Sequence, residues 1–117
     1  MGVALAPVHS NLWWLADDGW FYGEKWYGAV LACMAALFAG GYSLGYIASS
    51  YPTAQLHPWG SHPLLDPHYS SSAMQIEHHG VDLSREEKTA LVADWRAGLD
   101  NLRVCQNADV HEDNCGS

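Results

Sequence analysis

The stretch YGAVLACMAALFAGGYSLGYIA, residues 27–48, decides the predicted fold because none of its 22 residues carries a formal charge. A helix of this length, with a rise of ~1.5 Å per residue, would be about 33 Å long, and a bilayer's hydrocarbon core is about 30 Å thick. The sequence therefore predicts an all-α membrane protein with one transmembrane helix over about 27–48. The alternative for the same residues is a buried core helix of a non-membrane protein.

Small residues dominate this predicted helix. Twelve of the 22 residues are Gly, Ala, Ser or Cys, and several of them recur at a spacing of four. Small residues at this spacing let two helix backbones approach closely inside a membrane. The predicted helix-packing residues are Gly28, Ala32, Ala36, Gly40, Gly41 and Gly45. The alternative is an Ala-rich helix without a preferred face.

The flanking segments divide the rest of the chain. Residues 1–25 are rich in Trp, Tyr and Phe, which gather at membrane interfaces, so an interfacial segment is expected before a span at 26–49. Residues 50–80 contain four prolines, which remove hydrogen-bond donors and disfavour regular helix, so an extended linker is expected. Residues 81–117 are expected to form an amphipathic helix and an acidic, Cys-containing tail.

The clearest local signal outside the predicted span is a capping box. Ser84 followed by Glu87 predicts the start of an amphipathic helix over about 85–104. Its apolar residues recur at helical spacing and predict a stripe that faces a partner protein. The residues of this stripe are Leu91, Trp95, Leu99 and Leu102. The alternative is a helix that folds back on residues 50–80.

Charge and cysteine content limit the possible partners and compartments. The formal charge is −8, which disfavours nucleic acid as a partner and leaves membrane lipids and other protein subunits as the expected ones. Lys25 is the only basic residue near the predicted span, which favours a cytoplasmic or matrix N-terminus. Cys105 and Cys115 would then lie in an oxidising compartment and could form a disulfide; two free thiols are the alternative.

No cofactor, metal site or catalytic residue is expected from the sequence. Five of the seven histidines fall in the predicted linker, residues 50–80, but their spacing does not match the convergent ligand sets of zinc or copper sites. These residues, His57, His62, His68, His78 and His79, are expected on the surface. No phosphate-binding loop, haem attachment motif or nucleophile elbow occurs.

The order of these features resembles the single-pass, ESSS-like accessory subunits of mitochondrial complex I. The approach Asp17-Asp18-Gly19-Trp20 leads into the predicted span, and Pro52 follows it. A charged helix resembling residues 85–103 comes later, with Cys105 beyond it. The resemblance implies a mitochondrial inner-membrane protein whose C-terminus lies in the intermembrane space.

Two functions are expected from these features. The first is a non-catalytic accessory subunit that assembles and stabilises a large energy-transducing complex, with mitochondrial NADH:ubiquinone oxidoreductase implied by the resemblance. The alternative is a single-pass subunit of a photosynthetic or bacterial respiratory complex that contributes pigment, quinone or metal contacts. Its location would be a thylakoid or bacterial inner membrane.

Overall fold

A computed structural model of the chain describes residues 4–15 and 18–100, which divide into two compact units between Asp82 and Leu83. The first unit contains helices, turns of helix and two strands. Its elements are a 3-10 helix Leu12–Leu15, α1 Gly19–Phe21, a π-helical turn Tyr22–Trp26, α2 Tyr27–Ala36, β1 Leu44–Ala48, 3-10 helices Thr53–Gln55 and Asp66–Tyr69, and β2 Gln75–His79. The second unit contains α3 Arg85–Ala93 and α4 Arg96–Asp100.

The predicted transmembrane helix is not formed. Within 27–48, α2 covers only the ten residues Tyr27–Ala36, or about 15 Å at 1.5 Å per residue. None of the helices in the described ranges has both the length and the apolar character needed to cross a membrane. The prediction of an all-α, single-span membrane protein is therefore wrong. The same finding conflicts with the predicted locations in the mitochondrial inner membrane, thylakoid or bacterial inner membrane.

The chain changes direction after α2 because Gly40 and Gly41 follow it. Backbone hydrogen bonds from Phe38 to Ala35 O and from Gly41 to Phe38 O close a turn there. Glycine is among the poorest helix formers, and two in succession lower the free energy advantage of continuing the helix. Hydropathy alone does not distinguish this arrangement from a continuous apolar helix.

After the turn, β1 pairs with β2 in a two-stranded parallel sheet. The register runs from Leu44 opposite Gln75 to Ala48 opposite His79. Parallel strands require a crossover connection, and residues 49–74 supply it with two 3-10 helices. The predicted extended linker, residues 50–80, is therefore wrong as a description, because this segment contains a strand and part of the core.

The small core lies between α2 and one face of the sheet. Ile47 of β1 and Ile76 of β2 are buried with Ala32 of α2 and with Met74, which precedes β2. Alternate residues of a strand point to opposite faces, so the inward side chains leave Tyr46 on the other face, where it is exposed. The sheet is covered on this one face by α2.

The second unit begins with the predicted capping box, which is confirmed. Ser84 Oγ accepts a hydrogen bond from the Glu87 N–H at 3.2 Å, and Glu87 Oε2 accepts one from the Ser84 N–H at 2.7 Å. The predicted continuous helix over 85–104 is wrong, because α3 ends at Ala93 and α4 begins at Arg96.

The interruption between α3 and α4 has a local cause. The Trp95 ring lies over Gly98, where a Cβ would be 2.5 Å from Trp95 Cε3. Asp94, Gly98 and aromatic Trp95 all have lower helix propensity than Ala or Leu. The break therefore places the large ring where only glycine leaves room for it.

Replacing Ser84 with alanine should destabilise α3 by about 1 kcal/mol, because the Glu87 N–H loses its side-chain acceptor. Hydrogen–deuterium exchange of the first-turn amides of α3 measures the effect. Ser84→Asp supplies an acceptor and should retain most of the protection. Equal exchange in the alanine variant and wild type would show that the cap does not stabilise the helix.

Candidate binding surface

Four aromatic rings of the first unit contact one another in a row. We call this set, Tyr51, His57, Trp59 and Trp20, the aromatic row. Successive ring centroids are 4.8, 6.1 and 6.0 Å apart, and the rings meet at angles of 71°, 67° and 84°. Such edge-to-face contacts stabilise aromatic pairs by about 0.5–1.5 kcal/mol beyond surface burial. The row is therefore held together by its own members.

The row is open to solvent. Trp20 is 64% exposed and Tyr51 is 41% exposed, while His57 is exposed and Trp59 is half-buried. Phe21, next to Trp20, is also 49% exposed. Large rings that touch one another at the surface form a continuous apolar area, unlike apolar side chains that are scattered singly.

Trp59 sits in the row because Gly23 leaves room beneath it. A Cβ at Gly23 would lie 2.6 Å from Trp59 Cζ2, closer than nonbonded carbon atoms approach. Gly23 belongs to the π-helical turn, a rare form of helix that is frequent at functional sites. Because Gly23 has no side chain, the Trp59 indole can pack directly against this turn.

The loop around Gly60 lies directly on the helix. Its N–H donates to Gly23 O at 3.0 Å, and its carbonyl accepts from the Gly28 N–H at 2.8 Å. A Cβ at Gly60 would be 2.6 Å from Gly23 O and 2.8 Å from Tyr27 N. Glycine is required for this approach of two backbones, which anchors Trp59 from its C-terminal side.

A buried carboxylate fixes the same loop to β2. Asp66 has 0% exposure, and its carboxylate accepts hydrogen bonds from Ser61 Oγ at 2.7 Å and from the His62 N–H at 3.1 Å. His78 Nδ1 lies 2.6 Å from Asp66 Oδ2, a geometry in which Nδ1–H donates to the carboxylate. We call the contacts of Asp66 with Ser61, His62 and His78 the Asp66 clamp.

The other end of the row is held by the segment after β1. Ser49 Oγ donates to Tyr51 O at 2.7 Å, and the Thr53 N–H donates to Val81 O at 2.8 Å. His57 Nδ1 lies 3.3 Å from Gln55 O. Together, these local bonds and the bond to Val81 order the loop that presents Tyr51 and His57.

In its chemistry, the Asp66–His78 pair resembles a catalytic histidine base oriented by a carboxylate. Both side chains are buried, however. The His78 side chain is 5% exposed, and its Nε2 is buried without a hydrogen-bond partner among the described residues. A general base must reach the proton it removes, directly or through one water. In this conformation, the pair links structural elements and does not present a base to a substrate.

Burial raises the pKa of two phenols, those of Tyr69 and Tyr22. The pKa of Tyr69 is raised by burial first and by the nearby Asp66 carboxylate second. The pKa of Tyr22 is raised by burial first and by Tyr27 second. Both phenols are therefore neutral at physiological pH.

Within residues 4–15 and 18–100, no group of three or more metal-ligating side chains could hold a metal ion.

The structure separates the predicted helix-packing residues. Gly28 contacts the Gly60 loop and Ala32 lies in the core, but Ala36 is exposed at the end of α2. Gly40 and Gly41 lie in the turn, and Gly45 belongs to β1. These residues do not share one helix face, because the chain is helical over only the first part of their spacing.

The other predicted site residues have different outcomes. Leu91, Trp95 and Leu99 are exposed, but the break between α3 and α4 divides them between two helices and their junction. Their role as a partner-facing stripe remains a prediction. The predicted stripe residue Leu102 and the predicted disulfide Cys105–Cys115 lie outside the described residues.

Sequence reasoning missed both the aromatic row and the Asp66 clamp. His78 was expected on the surface, but its side chain is buried, whereas His57, His68 and His79 are exposed and His62 is half-buried. Asp66 and His78 are twelve residues apart in a segment that the prolines marked as irregular, so no periodic signal connects them. The sequence signal for this site is Gly60 directly after Trp59, because glycine allows a backbone to approach closely.

Comparisons with protein-family models, curated proteins and solved structures gave no significant match to this chain.

Proposed function

We propose that this chain is a non-catalytic binding subunit of a larger protein assembly, and that the aromatic row is its main contact surface. The observation that carries the proposal is the exposure of a continuous series of touching rings on a unit whose own core is small. Trp20 and Tyr51 lie at the two ends of the row, and both rings are exposed to a partner. Trp and Tyr are the residue types that most often dominate the binding free energy of interfaces.

The anchoring of the row supports a binding role. Association loses free energy when flexible side chains and loops must be ordered, by about 0.5–1.5 kcal/mol per side chain. Here Trp59 is already fixed by Gly23 and Gly60, and the Asp66 clamp fixes the loop that follows. A partner therefore meets rings that are already in place.

Charge indicates the chemistry of the partner. The chain carries a formal charge of −8. Asp18 lies next to the helical segment of Trp20, and in that segment Glu24 pairs with Lys25 at 3.6 Å, so the surroundings of Trp20 are acidic by one charge. Complementary charge favours a partner surface that is basic or neutral. Arginine is the expected contact residue, because a guanidinium stacks on the faces of Trp and Tyr rings.

The test is to isolate the chain under mild conditions from the organism that makes it, identify the protein that remains bound, and measure the affinity of the purified pair. Trp20→Ala should weaken that affinity by about 30-fold, the effect of a loss near 2 kcal/mol at an interface centre. Tyr51→Ala should weaken it as well, and Tyr51→Phe should retain most of the affinity because the ring remains.

Trp14→Ala is the matched control, because Trp14 is 81% exposed but lies outside the aromatic row. It should bind like wild type. Equal affinity of wild type and Trp20→Ala would contradict the proposal, and so would a chain that is isolated without any partner in a fixed ratio. If only Leu91→Glu lowered the affinity, the contact surface would be the predicted stripe and not the aromatic row.

A further inference from the structure

The hydrogen bonds beside the sheet define which way each residue of β1 faces. The Gln75 N–H donates to Ser43 O, and the Ser49 N–H donates to His79 O, both at 2.8 Å. In a parallel ladder, alternate residues of a strand bond to the neighbouring strand. These two bonds therefore place the backbone groups of odd-numbered residues in β1 on the side of β2.

The even-numbered residues of β1, Leu44, Tyr46 and Ala48, consequently direct their N–H and C=O groups to the outer edge. Among residues 4–15 and 18–100, the sheet has only two strands, and no backbone or side-chain group bonds to this edge. All three residues are exposed. An exposed edge of this kind is a template for pairing with another strand.

The outer edge of β2 differs from that of β1. Ser70 Oγ accepts from the Ile76 N–H at 2.9 Å and lies 3.5 Å from Ile76 O, so one hydroxyl occupies the centre of this edge. Pro63 and Pro67 line the adjoining cavity, and Glu77 adds a charge to the strand. The open edge of the sheet is therefore that of β1.

We propose that β1 pairs with β1 of a second copy of this chain, in antiparallel orientation about a two-fold axis at Tyr46. Such a pairing sets Tyr46 opposite Tyr46 and Leu44 opposite Ala48. It uses about six hydrogen bonds from the three outward residues of each copy, and it extends a two-stranded sheet to four strands. This inference concerns a different surface from the aromatic row and does not depend on it.

The edge of β1 lacks the charges that would keep two copies apart. The chain as a whole carries −8, which opposes self-association, but residues 42–52 contain no Asp, Glu, Lys or Arg. An antiparallel β1 pair therefore sets no like charges opposite each other. Natural edge strands often carry Lys or Pro that prevents such pairing, and β1 has neither.

Sedimentation of the full chain over a range of concentrations tests the proposal. Wild type should form a dimer, and Tyr46→Lys should raise the dimer dissociation constant at least tenfold by setting two ammonium groups opposite each other. Gln75→Lys is the matched control: it adds the same charge to an exposed position of β2, and it should dimerise like wild type. Trp20→Ala should also leave the dimer unchanged.

A cross-linking experiment tests the register. With Cys33, Cys105 and Cys115 changed to Ser, Tyr46→Cys should form an intermolecular disulfide, because directly opposed residues have Cα atoms about 5.5 Å apart. Leu44→Cys alone should not, since the two copies of residue 44 would be about 14 Å apart. A monomeric wild type, a dimer unaffected by Tyr46→Lys, or equal cross-linking at both positions would overturn the proposal. Binding of a different protein to this edge of a monomer would overturn it too.

Discussion

Asp66→Ala is expected to lower the free energy of unfolding by about 3–5 kcal/mol, because it removes one partner of a buried pair. The substitution leaves Ser61 Oγ, the His62 N–H and His78 Nδ1 without their acceptor inside the protein. Unsatisfied buried groups cost more free energy than a lost surface bond. Urea denaturation followed by far-UV circular dichroism measures the change.

Asp82→Ala serves as the control, because Asp82 is an exposed carboxylate of the same unit. Its unfolding free energy should differ from wild type by less than about 0.5 kcal/mol. The double variant Asp66→Ala/His78→Ala should lose less than the sum of the two single losses, since both remove the same contact. A loss below 1 kcal/mol for Asp66→Ala would contradict the role of the Asp66 clamp.

Gly28→Ala is expected to destabilise the protein by about 1–3 kcal/mol through overpacking, even though the same change in an ordinary helix stabilises it. The added Cβ would lie 2.4 Å from Gly60 O and 2.5 Å from Asp66 Oδ1. The first is a backbone atom and the second belongs to the clamped carboxylate, so neither moves without breaking other contacts. Thermal and urea unfolding both report the change.

Gly40→Ala is the matched control for this prediction. No atom outside its chain neighbours lies within 4 Å of a Cβ at Gly40, so the methyl group meets open space. The stability of this variant should equal or exceed that of wild type, because alanine restricts the unfolded chain more than glycine does. Equal effects at Gly28 and Gly40 would mean that the Gly60 loop does not lie on the helix as described.

The start of α3 was predictable from sequence, but the two helix interruptions and the long-range contacts were not. The capping box at Ser84 depends on residues three positions apart, and it is present in the structure. The uncharged stretch 27–48 has the composition of a membrane helix. Its division into α2, a turn and β1 depends on Gly40 and Gly41 and on a partner strand that begins at Gln75. Pairing over that separation leaves no periodic signal in a single sequence.

The contacts within the aromatic row could not be predicted from the sequence either. The sequence predicts a membrane interface for the aromatic residues of the N-terminal segment. Trp20 and Trp59 are 39 positions apart along the chain, and they touch because Gly23 and Gly60 bring helix and loop together. A sequence displays the rings and the glycines separately, whereas their contact follows from packing.

Hydrogen–deuterium exchange of the chain, free and within the complex isolated from its own organism, tests the central claim most directly. The amides of residues 19–23 and 51–60, which carry the aromatic row, should exchange more slowly in the complex than in the free chain. Protection confined to other segments, with unchanged exchange in both of these ranges, would contradict the assignment of the aromatic row as the binding surface.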